Sequence, residues 1–256
     1  MRTKKIDFAV LFLIPVCGAA ATVLLHLSYL NSILLFLGLP ILYLSFRASR
    51  VALIKSALFA FIFALPLSIV LDYIIVADGG WFVPASILRI LGIVPFEDIL
   101  FGFLSAWAIT LIYEFFLEHP EKRIFRSKMK ELATVVAAAL SFFILILIVS
   151  PSLLQISYAF LILCFLFLLL PLLFMLWRYP QLDKKYLMVG GYFFFMSLCW
   201  ELSALYVGQW EYLGFHYIGW LGIFGFKLPV EEFVFLWVAY APAVLAWYEF
   251  FDDDRK

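Results

Sequence analysis

Long unbroken apolar runs, separated by short polar breaks, set the pattern of this chain. Eight runs stand out, at positions 6–27, 32–46, 52–76, 95–117, 132–149, 156–177, 186–207 and 229–250. A membrane-spanning helix needs about 20 mostly apolar residues, and the second run is the shortest of the eight. Continuous runs predict helices, because the strands of a transmembrane barrel alternate apolar and polar residues over about ten positions. The first run has no small-residue cleavage site after a short core, so it reads as a retained span and not a signal peptide. The pattern predicts an all-α polytopic membrane protein of about eight transmembrane helices.

Composition narrows the class. Hydrophobic residues make up 66% of the chain and charged residues 14%, against about 25% charged in an average soluble domain. A soluble globule could not cover so much apolar surface, and a disordered chain has the opposite composition. Lysines and arginines number 18, as do aspartates and glutamates. A neutral chain with no basic tract excludes a nucleic-acid partner. The expected surroundings are membrane lipid.

The basic residues predict an orientation. With eight spans, all of them except Arg89 and Lys227 fall on one side. By the positive-inside rule that side is cytoplasmic, so both termini are expected in the cytoplasm and the protein in the cell membrane. Cys17, Cys164 and Cys199 each lie inside an apolar run, with no CxxC or metal-ligand spacing. They read as buried apolar residues.

The two halves resemble each other. Asp72, Gly79 and Trp81 recur as Glu201, Gly208 and Trp210, always 129 positions later. Pro95, Glu97, Asp98 and Phe101 recur as Pro229, Glu231, Glu232 and Phe235, at an offset of 134. Tyr113, Glu114, Phe115 and Phe116 are echoed by Tyr248, Glu249, Phe250 and Phe251. The first two spans of each half show no clear residue match. The reading is therefore two parallel four-helix repeats, 1–120 and 121–256, related by an axis along the membrane normal.

Eight acids gather toward the non-cytoplasmic side: Asp72, Asp78, Glu97, Asp98, Glu201, Glu211, Glu231 and Glu232. A proline followed by acids is an ordinary helix start, where the macrodipole favours negative charge by about 0.3–1 kcal/mol. Two facts favour function over capping. The same pattern occurs twice, and the acids adjoin apolar runs where ionisation is costly. Hairpin geometry brings the end of the third span near the start of the fourth, and the seventh near the eighth. The candidate acid–base groups are Glu97, Asp98, Glu231, Glu232, Asp72 and Glu201, since neighbouring buried carboxyls tend to share a proton. Trp81, Trp210, Phe101 and Phe235 add aromatic faces that stabilise cations by about 0.5–2 kcal/mol each. Arg89 and Lys227 read as counter-charges, and His26, His119 and His216 as incidental, His216 least so because it precedes the second acid motif.

Several chemistries are not indicated. The chain has no GxGxxG after a strand, no P-loop and no HExxH, so no cofactor or metal is expected. No aspartate-rich DDxxD run suggests a magnesium–diphosphate site. No lysine sits mid-membrane late in the chain, which argues against a retinal Schiff base.

The duplicated Pro-x-Glu-acid motif, carried by Pro95, Glu97 and Asp98 and again by Pro229, Glu231 and Glu232, resembles that of the membrane-integral lycopene cyclases. In that family the two halves occur as separate subunits or fused, as they would be here. The resemblance implies a hydrophobic polyene substrate, lycopene or a related carotenoid. It implies a cofactor-free isomerisation in which an acid protonates the terminal double bond, a six-membered ring closes through a carbocation, and a base removes a proton. On that resemblance Glu97/Asp98 and Glu231/Glu232 supply the acid and the base, between the two halves. Another membrane terpenoid cyclase, a carotenoid hydratase, a proton-coupled transporter and a non-catalytic carotenoid-binding protein are the rival readings. Ring type, oligomeric state and the division of roles among the carboxyls stay open.

Overall fold

The computed structural model describes residues 2–118 and 127–252. The boundary expected near residue 120, and with it His119, Lys122, Arg123 and Arg126, lies outside the described residues, as do Arg255 and Lys256. Among the described residues, seven helices are long and apolar enough to cross a membrane. They are α1 (Lys4–Leu25), α3 (Arg50–Ala77), α4 (Phe96–Phe116), α5 (Lys128–Val149), α6 (Ala159–Arg178), α7 (Pro180–Val207) and α8 (Glu232–Asp252). A shorter apolar helix, α2 (Tyr29–Ser45), follows α1. The protein is a mostly helical, multi-pass membrane protein. Ser28 and Ser49 cap α2 and α3 by accepting from the backbone N–H groups of Asn31 and Ala52, which is why both helices begin where they do.

Helices α4 and α8 form the centre. Helix α4 packs on α2, α3, α7 and α8, and α8 packs on α5, α6 and α7 as well. Helix α1 lies along α7. Exposed Leu, Ile, Val and Phe side chains cover the outside of α5, as a lipid-facing helix requires. At Gly102, α4 lies directly against Ser68 of α3. A Cβ built there would stand 1.8 Å from Ser68 Oγ and 2.8 Å from its Cβ. Gly102→Ala is therefore expected to destabilise the protein by about 1–3 kcal/mol, read as a lower melting temperature in detergent. An unchanged melting temperature would mean the two helices do not meet closely there.

Among the described residues, four helices contain a π-helical stretch: Leu34–Gly38 in α2, Ala60–Ala64 in α3, Phe165–Leu169 in α6 and Glu232–Ala239 in α8. Each ends two or three residues before a proline, at Pro40, Pro66, Pro171 and Pro242. Proline removes an N–H and crowds the preceding turn, and a widened turn accommodates it. The stretches expose a match that the apolar pattern hid. Leu34–Gly38, Pro40 and Arg47 correspond to Phe165–Leu169, Pro171 and Arg178 at a constant offset of 131. The expectation that the first two spans of each half carry no residue match is thus corrected for α2 and α6.

The π stretch of α8 also changes the alignment. The interval from Pro229 to Tyr248 is one residue longer than that from Pro95 to Tyr113. A π turn is where an α-helix absorbs one inserted residue. Beyond Glu232 the partner of each α4 position therefore moves on by one.

Among the described residues, two small β-hairpins add to the all-α expectation. Strands β1 (Arg89–Ile90) and β2 (Val94–Pro95) pair ahead of α4, and β3 (Trp220–Ile223) and β4 (Phe226–Pro229) ahead of α8. Ile223 pairs with Phe226 across a two-residue turn, Phe224 and Gly225, whose φ values are 49° and 88°. Both central residues at positive φ fit the twist of a hairpin, and glycine relieves the second. The segments before the hairpins meet each other. Phe82 N donates to Glu211 O at 2.8 Å and Glu211 N to Phe82 O at 2.9 Å. These two residues are 129 positions apart, the offset that also separates Asp72 from Glu201, and they pair reciprocally.

A second reciprocal contact lies at the other end of α4 and α8. The Tyr113 hydroxyl donates to Glu249, and the Tyr248 hydroxyl donates to Glu114. Lys55, only 2% exposed, sits 2.9 Å from Glu114, also pairs with Asp252, and lies 5.5 Å from the Tyr248 ring centroid. Lys55 thus holds the start of α3 against the ends of α4 and α8.

Candidate active site

The hairpins decide where the acids point. Each hairpin ends on a proline, Pro95 or Pro229, which cannot continue the ladder and opens the next helix. Two acids follow in the first turn, and adjacent residues on a helix face about 100° apart, so each pair splits. Glu97 turns back to the loop before its hairpin. It accepts from Ser86 Oγ at 2.7 Å and from Ile87 N at 2.8 Å. Glu231 does the same in the other half, accepting from Ile218 N at 2.6 Å. Both side chains are buried but neither lines the cavity described next. They hold the hairpin loops onto the helix ends. Replacing Glu97 by Ala removes the charged acceptor of the Ser86 hydroxyl and the Ile87 N–H and is expected to cost about 1–3 kcal/mol. Glu97→Gln, which keeps one acceptor oxygen, should cost less in the same thermal unfolding series.

Asp98 and Glu232 face the other way, into a cavity of about 180 Å³ between α3, α4, α6, α7 and α8. Asp72 from the end of α3 and Glu201 from α7 join them there. Four of the six candidate carboxyls therefore share one apolar cavity. Trp81 and Trp210 also line it, each with its indole N–H spent on a carboxyl. Trp81 Nε1 donates to Asp98 Oδ2 at 2.8 Å, and Trp210 Nε1 donates to Glu201 Oε1 at 3.1 Å. The equivalent tryptophans thus hold non-equivalent acids, one at the start of a helix and one at the end of another.

Aromatic rings form much of the remaining wall. Phe101 packs edge-on against Trp200 with centroids 5.4 Å apart, and Trp200 stacks on Phe36 at 5.0 Å. Tyr29 lies 5.0 Å from Trp210 and shares the wall with Asp98. Phe235 is not part of it. That candidate is 4% exposed and sits in the core, because the π stretch that begins at Glu232 shifts the register, and Leu236 lines the cavity in its place. The same shift matches Ser105 with Tyr240, whose hydroxyls are 2.7 Å apart.

Tyr212, which the motif pattern did not single out, lies two residues after Trp210. Its hydroxyl donates to Glu201 Oε1 at 2.7 Å and accepts from Trp210 Nε1 at 3.2 Å. Burial first, and then the neighbouring Glu201 and Glu232, hold this hydroxyl well above the ordinary phenol range, so it stays protonated at neutral pH. Its counterpart in the first half is Val83, which also lines the cavity. Cys164 contributes to the wall as a buried thiol.

The other polar residues of this side are tied into loops. Asp78 accepts from Ala159 N at 3.1 Å, capping α6, and its other oxygen stands 2.6 Å from His216 Nδ1. His216 therefore has a fixed partner that no motif announced. Arg89 donates to the carbonyls of Val83 at 2.7 Å and Ile93 at 3.1 Å, and stacks over the Phe82 ring. Lys227 is exposed on β4.

Chemically, the arrangement can hold a small apolar group among four carboxyls and several aromatic faces. It can deliver a proton from one side and receive one at another. No family model, no curated protein and no solved structure matches this chain.

Proposed function

We propose that this protein cyclises the acyclic end groups of lycopene or a related carotenoid, without a cofactor, in the cavity lined by Asp72, Asp98, Glu201 and Glu232. The observation that carries this reading is a partly open apolar cavity with four carboxyls and the rings of Trp81, Phe101, Trp200 and Trp210 in its wall. A cavity of about 150 Å³ holds a benzene ring, so about 180 Å³ suits one ring-sized end group while the rest of the polyene lies elsewhere.

In the reaction a protonated carboxyl adds its proton to the terminal double bond. The resulting cation is attacked by a neighbouring alkene, closing a six-membered ring. A carboxylate then takes a proton from an adjacent carbon and a new double bond forms. Atoms and electrons balance, so the product is an isomer and no redox partner is consumed. Carboxylates and aromatic faces both stabilise the intermediate charge. In this reading Glu97 and Glu231, first expected to share the acid and base roles, position the hairpins, and the proton transfers fall to the four cavity carboxyls.

The same reading treats α2 as the eighth span and the two halves as parallel repeats, with both termini cytoplasmic. The π–proline match of α2 with α6 and the two reciprocal contacts between halves support it.

Expression in a lycopene-accumulating host tests the proposal, with a cyclic isomer as the expected pigment. A product heavier by one water would make the protein a hydratase. Unchanged lycopene bound to the purified protein would make it a carrier, and proton-dependent uptake without new product a transporter.

A further inference from the structure

The carboxyls of the cavity differ in how firmly they are held. Helix α7 ends at Gly208, whose φ of 71° turns the chain back over the helix end. Three residues on, Glu211 pairs with Phe82 of the first half through two backbone hydrogen bonds. In extended chain the side chains on either side of a paired residue point the same way. Trp210 and Tyr212 therefore both face the cavity, as do Trp81 and Val83 around Phe82. From there Trp210 Nε1 and the Tyr212 hydroxyl donate to Glu201 at 3.1 and 2.7 Å, and both meet the same oxygen, Oε1. A carboxylate oxygen has about two acceptor sites, so both on Oε1 are taken and neither donor engages Oε2. Trp210 Nε1 also reaches the Tyr212 oxygen at 3.2 Å, which ties the two donors to each other. The clamp fixes the orientation of the Glu201 carboxyl and leaves Oε2 as the oxygen that can take a proton.

Resting on the cyclase reading above, we propose that Glu201 is the base that ends the reaction, and that Tyr212 is the positioning residue that selects which proton it removes. Ring closure leaves the positive charge on a ring carbon flanked by several carbons that bear hydrogen. Glu201 Oε2 takes one of those protons. The C–H bond breaks, an O–H bond forms on Oε2, and the freed electron pair becomes the ring double bond. Cation and carboxylate both become neutral, and no oxidant or reductant enters. Each choice of proton gives a different isomer of the same mass, so the direction of Oε2 decides the product. A misplacement of about 1 Å is enough to change such a contact. The first half carries Val83 where Tyr212 stands, so this clamp is not duplicated there.

The test is Tyr212→Phe in the full-length protein, reconstituted in lipid nanodiscs with lycopene, with the cyclic products separated by chromatography. Phenylalanine keeps the ring, and Trp210 Nε1 still donates to Glu201. The wild-type protein should give one dominant double-bond isomer. The variant should give a mixture, with total ring formation lowered by about tenfold or less, as for the loss of one hydrogen bond. Trp210→Phe removes the other donor to Oε1 and should shift the isomer ratio too, which decides the matter if Tyr212→Phe does not fold. Glu201→Gln should lower ring formation by about 10²–10⁴-fold. A wild-type isomer ratio in the folded clamp variants overturns the positioning role, as does an even mixture from the wild-type protein. Loss of all cyclic product in those folded variants also overturns it, and assigns the clamp to an earlier step. Full activity of Glu201→Gln overturns the base. Failure of the wild-type protein to make any cyclic product is the separate outcome that removes the cyclase reading itself.

Discussion

Replacing Glu232 by Gln is expected to abolish ring formation, lowering it by about 10²–10⁴-fold in the lycopene-accumulating host. The amide has nearly the same shape, so α8 and the cavity wall should survive, but it has no acidic proton to transfer. Glu232 is 5% exposed, and its neighbours Glu231 and Phe235 point elsewhere. Asp98→Asn should have an effect of the same order. The amide can still accept from Trp81 Nε1, so the loss would report the missing negative charge and not a lost contact. Glu231→Gln and Glu97→Gln form the contrast. They alter a loop anchor outside the cavity and should lower the melting temperature more than the turnover of the folded fraction. The reverse ranking, with the loop anchors essential and Glu232→Gln fully active, would return the chemistry to the other member of each pair.

Lys55→Met should be the most destabilising single change at the opposite end of the bundle. The lysine is 2% exposed and its partners Glu114 and Asp252 are buried as well. Methionine fills most of the same volume but leaves those carboxyls without their cation. Breaking a buried ion pair from one side typically costs about 3–5 kcal/mol. The change should appear as a large drop in melting temperature in detergent. Adding Glu114→Gln should recover part of it, because one of the stranded charges is then removed. Equal melting of wild type and Lys55→Met would show that the cluster holds nothing together. The outcome bears on function only indirectly. The Lys55 cluster ties α3 to α4 and α8, and those helices also carry Asp72, Asp98 and Glu232.

Much of the candidate site was legible beforehand, and the reason is local. The offset of 129 paired Asp72 with Glu201 and Trp81 with Trp210, and all four line the cavity. The acid pairs after Pro95 and Pro229 were visible too, but not which member of each pair faces inward. That depends on the azimuth of the first helical turn, which the hairpins set by joining β2 and β4 to α4 and α8. Phe235 was misplaced for a related reason. A π stretch adds one residue without breaking the helix, so an alignment that ignores it drifts out of register after Glu232. Tyr212 was missed because the position 129 earlier is Val83, so the repeated motif does not mark it, and His216 because its partner lies on a distant element. His216 and Asp78, for instance, are 138 positions apart.

What the sequence alone determined is the environment and the elements. Runs of about 20 apolar residues must become helices in lipid, because every backbone polar group has to be satisfied within its own segment. Repeated proline and acid positions then located the candidate site near one end of the bundle. Only the tertiary structure decided which carboxyls share a cavity. Side-chain direction across a helix pair is a property of packing, set by the hairpins, the π turns and the reciprocal contacts between halves. A shift of one residue turns a side chain by about 100°, enough to exchange a cavity-lining carboxyl for a loop anchor.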